Sequence, residues 1–139
     1  MKVLIIHGPN MNLLGLYSNN RLTLDKLNRA IKQHASKLDL TAKTYQTHDQ
    51  KKVISLLHTN RNKVDAVLIN IGPWHPTAHI IKETLNIIKV PYIIVEHLSD
   101  NIEGHNRLLE ISVFDSKYIV KNKNIKSAYL EALNKISSK

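Results

Sequence analysis

Three stretches of this chain are apolar almost without interruption: "KVLIIH" (2–7), "AVLINI" (66–71) and "PYIIVEH" (91–97). A strand with one wet face alternates polar and apolar residues. A short run without alternation reads as a strand covered on both faces, and such strands belong to parallel sheets flanked by helices. Two further runs, "LTAKTYQT" (40–47) and "SKYIVK" (116–121), bring the set to five. Helical spacing fills the gaps. Leu24, Leu27, Ile31, His34 and Leu38 recur at intervals of three and four, as do Val53, Leu56 and Leu57, then Ile80, Ile81, Thr84, Leu85 and Ile88. The segment from Ile125 to Ile136 is a further amphipathic helix. Strands alternating with helices predict an α/β chain with a parallel sheet wound on both faces. Five strands in 139 residues predict a flavodoxin-like three-layer fold, strand order 2-1-3-4-5, as one domain over residues 1–139.

Composition excludes some chemistry. Cysteine is absent, so there is no disulfide framework and no thiolate catalysis or ligation. No apolar run approaches the ~18 residues of a membrane span, and the run Val3–Ile6 is too short for a signal-peptide core. The expectation is a cytoplasmic protein that does not engage a membrane. The formal net charge of +9 raises the question of nucleic acid. The lysines are scattered, and the densest run, "KYIVKNKNIK" (117–126), is not interleaved with stacking aromatics in a known module. An anionic small molecule is the better partner for this charge, and no nucleic acid is expected.

The predicted topology places a site. Ligands of open parallel sheets bind beyond the carboxyl ends of the strands where the strand order reverses. For order 2-1-3-4-5 that point lies between strands 1 and 3, with strand 4 alongside. Strand 1 is followed by Gly8, Pro9, Asn10, Met11 and Asn12; strand 3 runs into Asn70, Gly72, Trp74 and His75; strand 4 ends in Glu96, His97, Leu98 and Ser99. His97 is the acid–base candidate, because imidazole titrates near neutrality. Asn10 and Asn70 offer uncharged amide donors and acceptors, or simply turn chemistry beside Pro9 and Gly72. The amides of Leu98 and Ser99 are placed to hold a carboxylate if they open a helix, and Ser99 is equally a cap for a helix over Ile102–Glu110.

Other motifs fall away. His75 and His79 stand four apart in "HPTAH", but the glutamate of H-E-x-x-H is missing and Pro76 suits a first helical turn, so no metal is expected. "HGPNMNLLG" lacks both the G-x-G-x-x-G pattern and the P-loop lysine. Ser99, His97 and Asp100 are too close in sequence to build a triad, and there is no nucleophile elbow.

"HGPNMNLLG" after strand 1, "INIGPWHPTA" after strand 3 and "VPYIIVEHLSDN" at strand 4 resemble type II 3-dehydroquinate dehydratases, with the same element order over most of the chain. The similarity is weakest after Glu110. The resemblance implies a flavodoxin-like fold and a trimer-based dodecamer. It implies cofactor-free, metal-free anti elimination of water from 3-dehydroquinate to give 3-dehydroshikimate, a step of the shikimate or quinate pathway and so of aromatic amino acid biosynthesis. In that family a lid tyrosine, activated by a nearby arginine, removes a proton alpha to the ketone. An asparagine of the first loop stabilises the enolate through a water, and a histidine at strand 4 protonates the departing hydroxyl. By position the asparagine is Asn10 and the histidine is His97; Tyr17 and Arg21 match the lid's tyrosine and arginine by residue type. Asn70, Leu98 and Ser99 would bind the substrate, and Glu83 occupies the place of an acidic residue that reaches a neighbouring subunit's site.

The resemblance also marks departures. The family's lid, G-x-R-E-P-x-x-Y-G, is here the shorter "GLYSNNRLTL", with tyrosine and arginine in reversed order. The family's substrate-binding histidine falls at Pro76, with His75 one place earlier. Its glutamate two residues before the strand-4 histidine falls at Val95, with Glu96 one place later. Its arginine in the next helix falls near Leu109, with Arg107 two places off. Three function classes follow: the dehydratase, an impaired or repurposed homologue binding a related polyhydroxy carboxylate, and a basic adaptor with no small-molecule site.

Overall fold

The computed structural model describes residues 1–99 and 104–138. Strands β1 (Lys2–His7), β2 (Thr41–Gln46), β3 (Ala66–Asn70), β4 (Tyr92–His97) and β5 (Ile119–Asn122) form one all-parallel sheet, ordered β2-β1-β3-β4-β5. Helices α1 (Leu24–Lys37), α2 (Gln50–Asn60), α3 (His79–Ile88), α4 (His105–Glu110) and α5 (Ile125–Ser137) connect and cover it. The α/β flavodoxin-like fold and strand order are those the apolar runs predict.

Strand alternation divides the core. Val3, Ile5, Leu68, Ile93 and Val95 pack with residues of α1 and α5 on one face, whereas Leu4, Ile6, Val67, Ile69 and Ile94 pack with α2 and α3 on the other. The helix starts are fixed by side chains that satisfy orphan amides. Thr23 accepts from the Lys26 amide, Asp49 from Lys51 and Asn124 from Ser127. These caps set where each connection leaves the carboxyl edge of the sheet.

The helix expected over Ile102–Glu110 differs. Its described part starts at His105 after Gly104, whose φ of 74° suits glycine. Residues 100–103, and with them Asp100 and the expected cap contact of Ser99, lie outside the described residues. Among the described residues no helix is long and apolar enough to cross a membrane.

Candidate active site

The site is built on a close approach. Gly8 leaves β1 so near β3 that a Cβ on it would lie 2.3 Å from the Asn70 carbonyl oxygen. Only glycine lets the two strand ends converge here. The Gln46 side chain at the end of β2 donates to the Gly8 carbonyl at 3.1 Å, tying the same turn from its other side. Asn10 then adopts a left-handed conformation (φ 65°), which asparagine tolerates, and its amide donates to His48 Nδ1 at 3.4 Å. A 3-10 turn over Met11–Leu16 follows and buries Met11 and Leu14 in the core.

That turn delivers Tyr17 across the strand ends. Its hydroxyl donates to the Asn10 carbonyl at 3.1 Å. Its ring stacks on that of His97, with centroids 6.0 Å apart and planes 25° from parallel. His97, buried at the end of β4, donates Nε2–H to the Lys123 carbonyl at 3.1 Å. In that tautomer Nδ1 is the ring nitrogen that gains a proton when the imidazole charges. Asn70, also buried, donates its amide to the Val95 carbonyl at 3.0 Å and so braces β3 against β4. Tyr17 thus meets the Asn10 backbone and the His97 ring, and Asn70 stands at the carboxyl end of the neighbouring strand β3.

The electrostatics of Tyr17 run against the expectation. Burial first, and the Glu96 carboxylate second, push its hydroxyl up to about 12. Arg21 is exposed in a short 3-10 turn, Asn19–Arg21, and is not among the groups acting on that hydroxyl. Tyr17 is thus held protonated in this structure, not activated by arginine. The backbone gives the physical reason: Asn20 and Arg21 are consecutive left-handed residues, and Arg21 is exposed.

Several other expected ligands have different surroundings. His75 is 1% exposed; Nε2 lies 2.5 Å from Glu96 Oε2 and Nδ1 lies 2.6 Å from Ser112 Oγ. Both ring nitrogens are engaged, so His75 does not face a substrate as it stands. The Leu98 amide continues the sheet by donating to the Asn122 carbonyl at 2.9 Å, which takes it away from a carboxylate; Ser99 beside it is buried. Arg107 on α4 and Glu83 on α3 are exposed. His79 is exposed whereas His75 is buried, so the H-x-x-x-H spacing does not make a metal pair, and among the described residues no group of three ligating side chains forms. A cavity of about 520 Å³ opens beyond Leu98, between α4 and β5, with Leu109, Ser112 and Lys121 on its walls.

Sequence reasoning passed over His7. It is fully buried, with Nδ1 2.8 Å from the Tyr129 hydroxyl and Nε2 2.7 Å from Asn28 Oδ1. Burial drives it down to about 4, partly offset by the Asn28 bond, while burial holds Tyr129 protonated. The ring is therefore neutral, donating to Asn28 and accepting from Tyr129. A histidine closing an otherwise aliphatic strand was the available signal.

A family model described as "Dehydroquinase class II" matches residues 1–134. The chain belongs to the class II dehydroquinase family. Its similarity to the relatives named below is moderate and extended. The 3-dehydroquinate dehydratase of Caldanaerobacter subterraneus subsp. tengcongensis is 34% identical over 119 residues, covering 84% of this chain and 79% of that protein. The 3-dehydroquinate dehydratase of Thermoanaerobacter pseudethanolicus is 36% identical over 121 residues, again covering 84% and 79%. The crystal structure of the type II dehydroquinase from Propionibacterium acnes superposes with a TM-score of 0.81 at 23% identity, covering 99% of this chain and 98% of that one. At that identity the superposition speaks for the fold.

Proposed function

We propose that this chain is a 3-dehydroquinate dehydratase of the type II class, a hydro-lyase of the shikimate pathway acting without metal or cofactor. The observation that carries this reading is the position of Tyr17, whose hydroxyl meets Asn10 and whose ring meets His97. Elimination alpha, beta to a ketone requires a base and an acid within reach of one substrate, and a phenol and an imidazole are of those types. In this reading the Tyr17 phenolate removes the alpha proton. Asn10 orients a water on the enolate. His97 Nδ1 gives its proton to the leaving hydroxyl, and the Lys123 carbonyl on Nε2 supports the imidazolium that does so. Asn70 and Ser99 hold the substrate's polar edge, and its carboxylate is drawn by the overall positive charge. Closure of the 11–21 loop would exclude water from the enolate.

The same reading includes a single domain, a cytoplasmic location and a homo-oligomer, a dodecamer built from trimers. Support for self-association lies on α3. Ile80 and Ile87 are 68% and 69% exposed on one helical face, with Glu83 between them, an arrangement suited to contact with a second copy. Light scattering at micromolar concentration is expected to report a multiple of three; a monomer would remove the assembly from the proposal.

The deciding experiment is an ultraviolet assay for 3-dehydroshikimate formed from 3-dehydroquinate, across pH. Turnover is expected. Binding of 3-dehydroquinate without turnover at any pH would instead assign the chain as an impaired homologue that retains the polyhydroxy-carboxylate site.

A further inference from the structure

His7 is the last residue of β1 and stands beside Gly8, where the loop that carries Tyr17 begins. The same loop ends at Thr23, the cap of α1. The His7 side chain reaches across that gap: Nε2 lies 2.7 Å from Oδ1 of Asn28, in the second turn of α1. Its other nitrogen, Nδ1, lies 2.8 Å from the Tyr129 hydroxyl on α5, and the two rings meet edge to face with centroids 5.2 Å apart. One imidazole thus joins the end of β1 to both helices on its face of the sheet. The start of α5 matters to the crevice, because Lys123, whose carbonyl accepts from His97, directly precedes the cap Asn124. Met11, Leu14 and Leu27 share one core cluster with Tyr129, and Tyr17, Leu22 and Leu24 pack against it. A leucine at position 7 would complete this core with no polar group to desolvate; what the imidazole adds is two directed bonds.

We propose that His7 is a positioning residue for the elimination: it clasps the two stems of the loop carrying Tyr17 and holds α5, so that Tyr17 and His97 keep their mutual placement. The inference rests on the dehydratase reading for its kinetic consequence, though not for the clasp itself. The bond from His7 to Asn28 closes the loop at its base, and joining the ends of a loop removes chain freedom from everything between them. Tyr17 lies within the closed segment. His97 lies outside it, on β4, and is reached through α5, where Tyr129 stands five residues beyond Asn124. The His7 ring is fully buried and both of its nitrogens are engaged, so the clasp has no slack. A neutral imidazole serves both helices at once, donating Nε2–H to Asn28 and accepting at Nδ1 from Tyr129. The same two helices are tied a second time by His34 Nε2 and Asn134 Oδ1, 2.7 Å apart, in the last turn of α1. That tie joins α1 to α5 without touching β1 and provides a control within the molecule.

The test separates the clasp from general stability. Asn28→Ala removes one arm, and Tyr129→Phe removes the other while keeping a ring against His7. In hydrogen exchange the amides of Tyr17 and Ser18, which donate to the Leu14 carbonyl, are expected to exchange about five- to tenfold faster in each variant, the scale of one lost buried hydrogen bond. The amides of Lys52 and Val53, which donate to the Asp49 carbonyl at the start of α2 on the other face of the sheet, are expected to be unchanged. His34→Ala loosens the same helix pair elsewhere and should leave all of these amides as in the parent. In the dehydration assay Asn28→Ala and Tyr129→Phe are each expected to lower kcat about fivefold with KM changed less, whereas His34→Ala should leave both constants unchanged. If one clasp variant does not fold, the other supplies both readouts. Loop amides unmoved in the clasp variants, loop and α2 amides accelerated alike, or loop amides accelerated as much by His34→Ala would each overturn the proposal. So would a parent-like kcat in the clasp variants of an active chain. The exchange reads out without turnover, so a parent chain that fails to dehydrate 3-dehydroquinate defeats the function proposed above while the clasp is decided separately.

Discussion

The loop after β1 begins as a packed platform and ends in the segment proposed as a lid, and its two halves are held by different forces. Gly8 is fixed by contact with the Asn70 carbonyl, and Met11 and Leu14 are buried below it. By contrast Leu16 is 84% exposed, Asn20 and Arg21 are both left-handed, and Arg21 is exposed. Tyr17 is the joint between the two. The platform is determined by packing, which admits one residue type at a time. The lid is determined by a few hydrogen bonds at the surface, which admit many. The first half of the loop is therefore fixed by packing, and the second is free of that constraint.

The sharpest way to break that division is at His97. If the platform is prebuilt, His97→Ala removes proton donation while Asn10 and Asn70 still bind. We expect kcat to fall by ~10²–10⁴-fold with 3-dehydroquinate binding still measurable by calorimetry. Loss of binding together with activity would mean that His97 holds the platform in place instead of acting on it.

The platform also has a pH signature that the lid lacks. His7 lies beneath it, neutral, with a folded pKa lowered from 6.5 to about 4. Its unfolded form binds a proton near pH 6.5, and its folded form does not until about pH 4. Stability is therefore full above pH 6.5 and is lost as pH falls through that window, because the unfolded state takes up the proton first. The loss amounts to roughly 3 kcal/mol at its limit. Urea denaturation between pH 7 and 4 should show this slope, and His7→Gln should flatten it. A slope of equal size in His7→Gln would assign the acid sensitivity to other groups.

How much of this was legible follows the same line. Strand order and the placing of Asn70 and His97 at the carboxyl ends of β3 and β4 could be read from sequence, because unbroken aliphatic runs and strand-end polar residues are local signals. The partners of His7, Asn28 and Tyr129, lie 21 and 122 residues away. No local pattern encodes that. Nor does the spacing of His75 and Glu96 announce that they meet, since the alternation of β4 alone decides which of Glu96 and His97 faces Tyr17. The Leu98 amide was misjudged for a related reason: β5 extends far enough for Asn122 to take it. The exposure of Arg21 depends on left-handed backbone angles at Asn20 and Arg21 that residue identity does not fix.

At Gly8 the comparison can be sharpened by a single methyl group. Gly8→Ala places a Cβ where the Asn70 carbonyl oxygen already is, 2.3 Å away, and backbone rather than a flexible side chain must yield. We expect a loss of roughly 1–3 kcal/mol in denaturant unfolding, with reduced kcat, since the shift is passed to Asn70 and its bond to Val95. Retained stability would show that the strand ends are less tightly apposed than the platform requires.

The smallest effect is expected at Arg21, and it tests the lid half. A non-glycine residue in the left-handed region costs on the order of 1–2 kcal/mol, which glycine avoids. Glycine also frees the unfolded chain, which offsets roughly 0.5–1 kcal/mol of that gain. Arg21→Gly should therefore leave stability unchanged or raise it by up to about 1 kcal/mol. The neighbouring left-handed position is Asn20, a residue that tolerates this conformation, so the relief is confined to one site. Because Arg21 is not among the groups acting on the Tyr17 hydroxyl, the phenolate titration of Tyr17 in the ligand-free protein should stay near 12 in Arg21→Gly as in the parent. An upward movement of that titration would mean that the guanidinium already stabilises the phenolate from the lid. A stability loss above about 1 kcal/mol would mean that the lid is packed into the platform and the two halves are one unit.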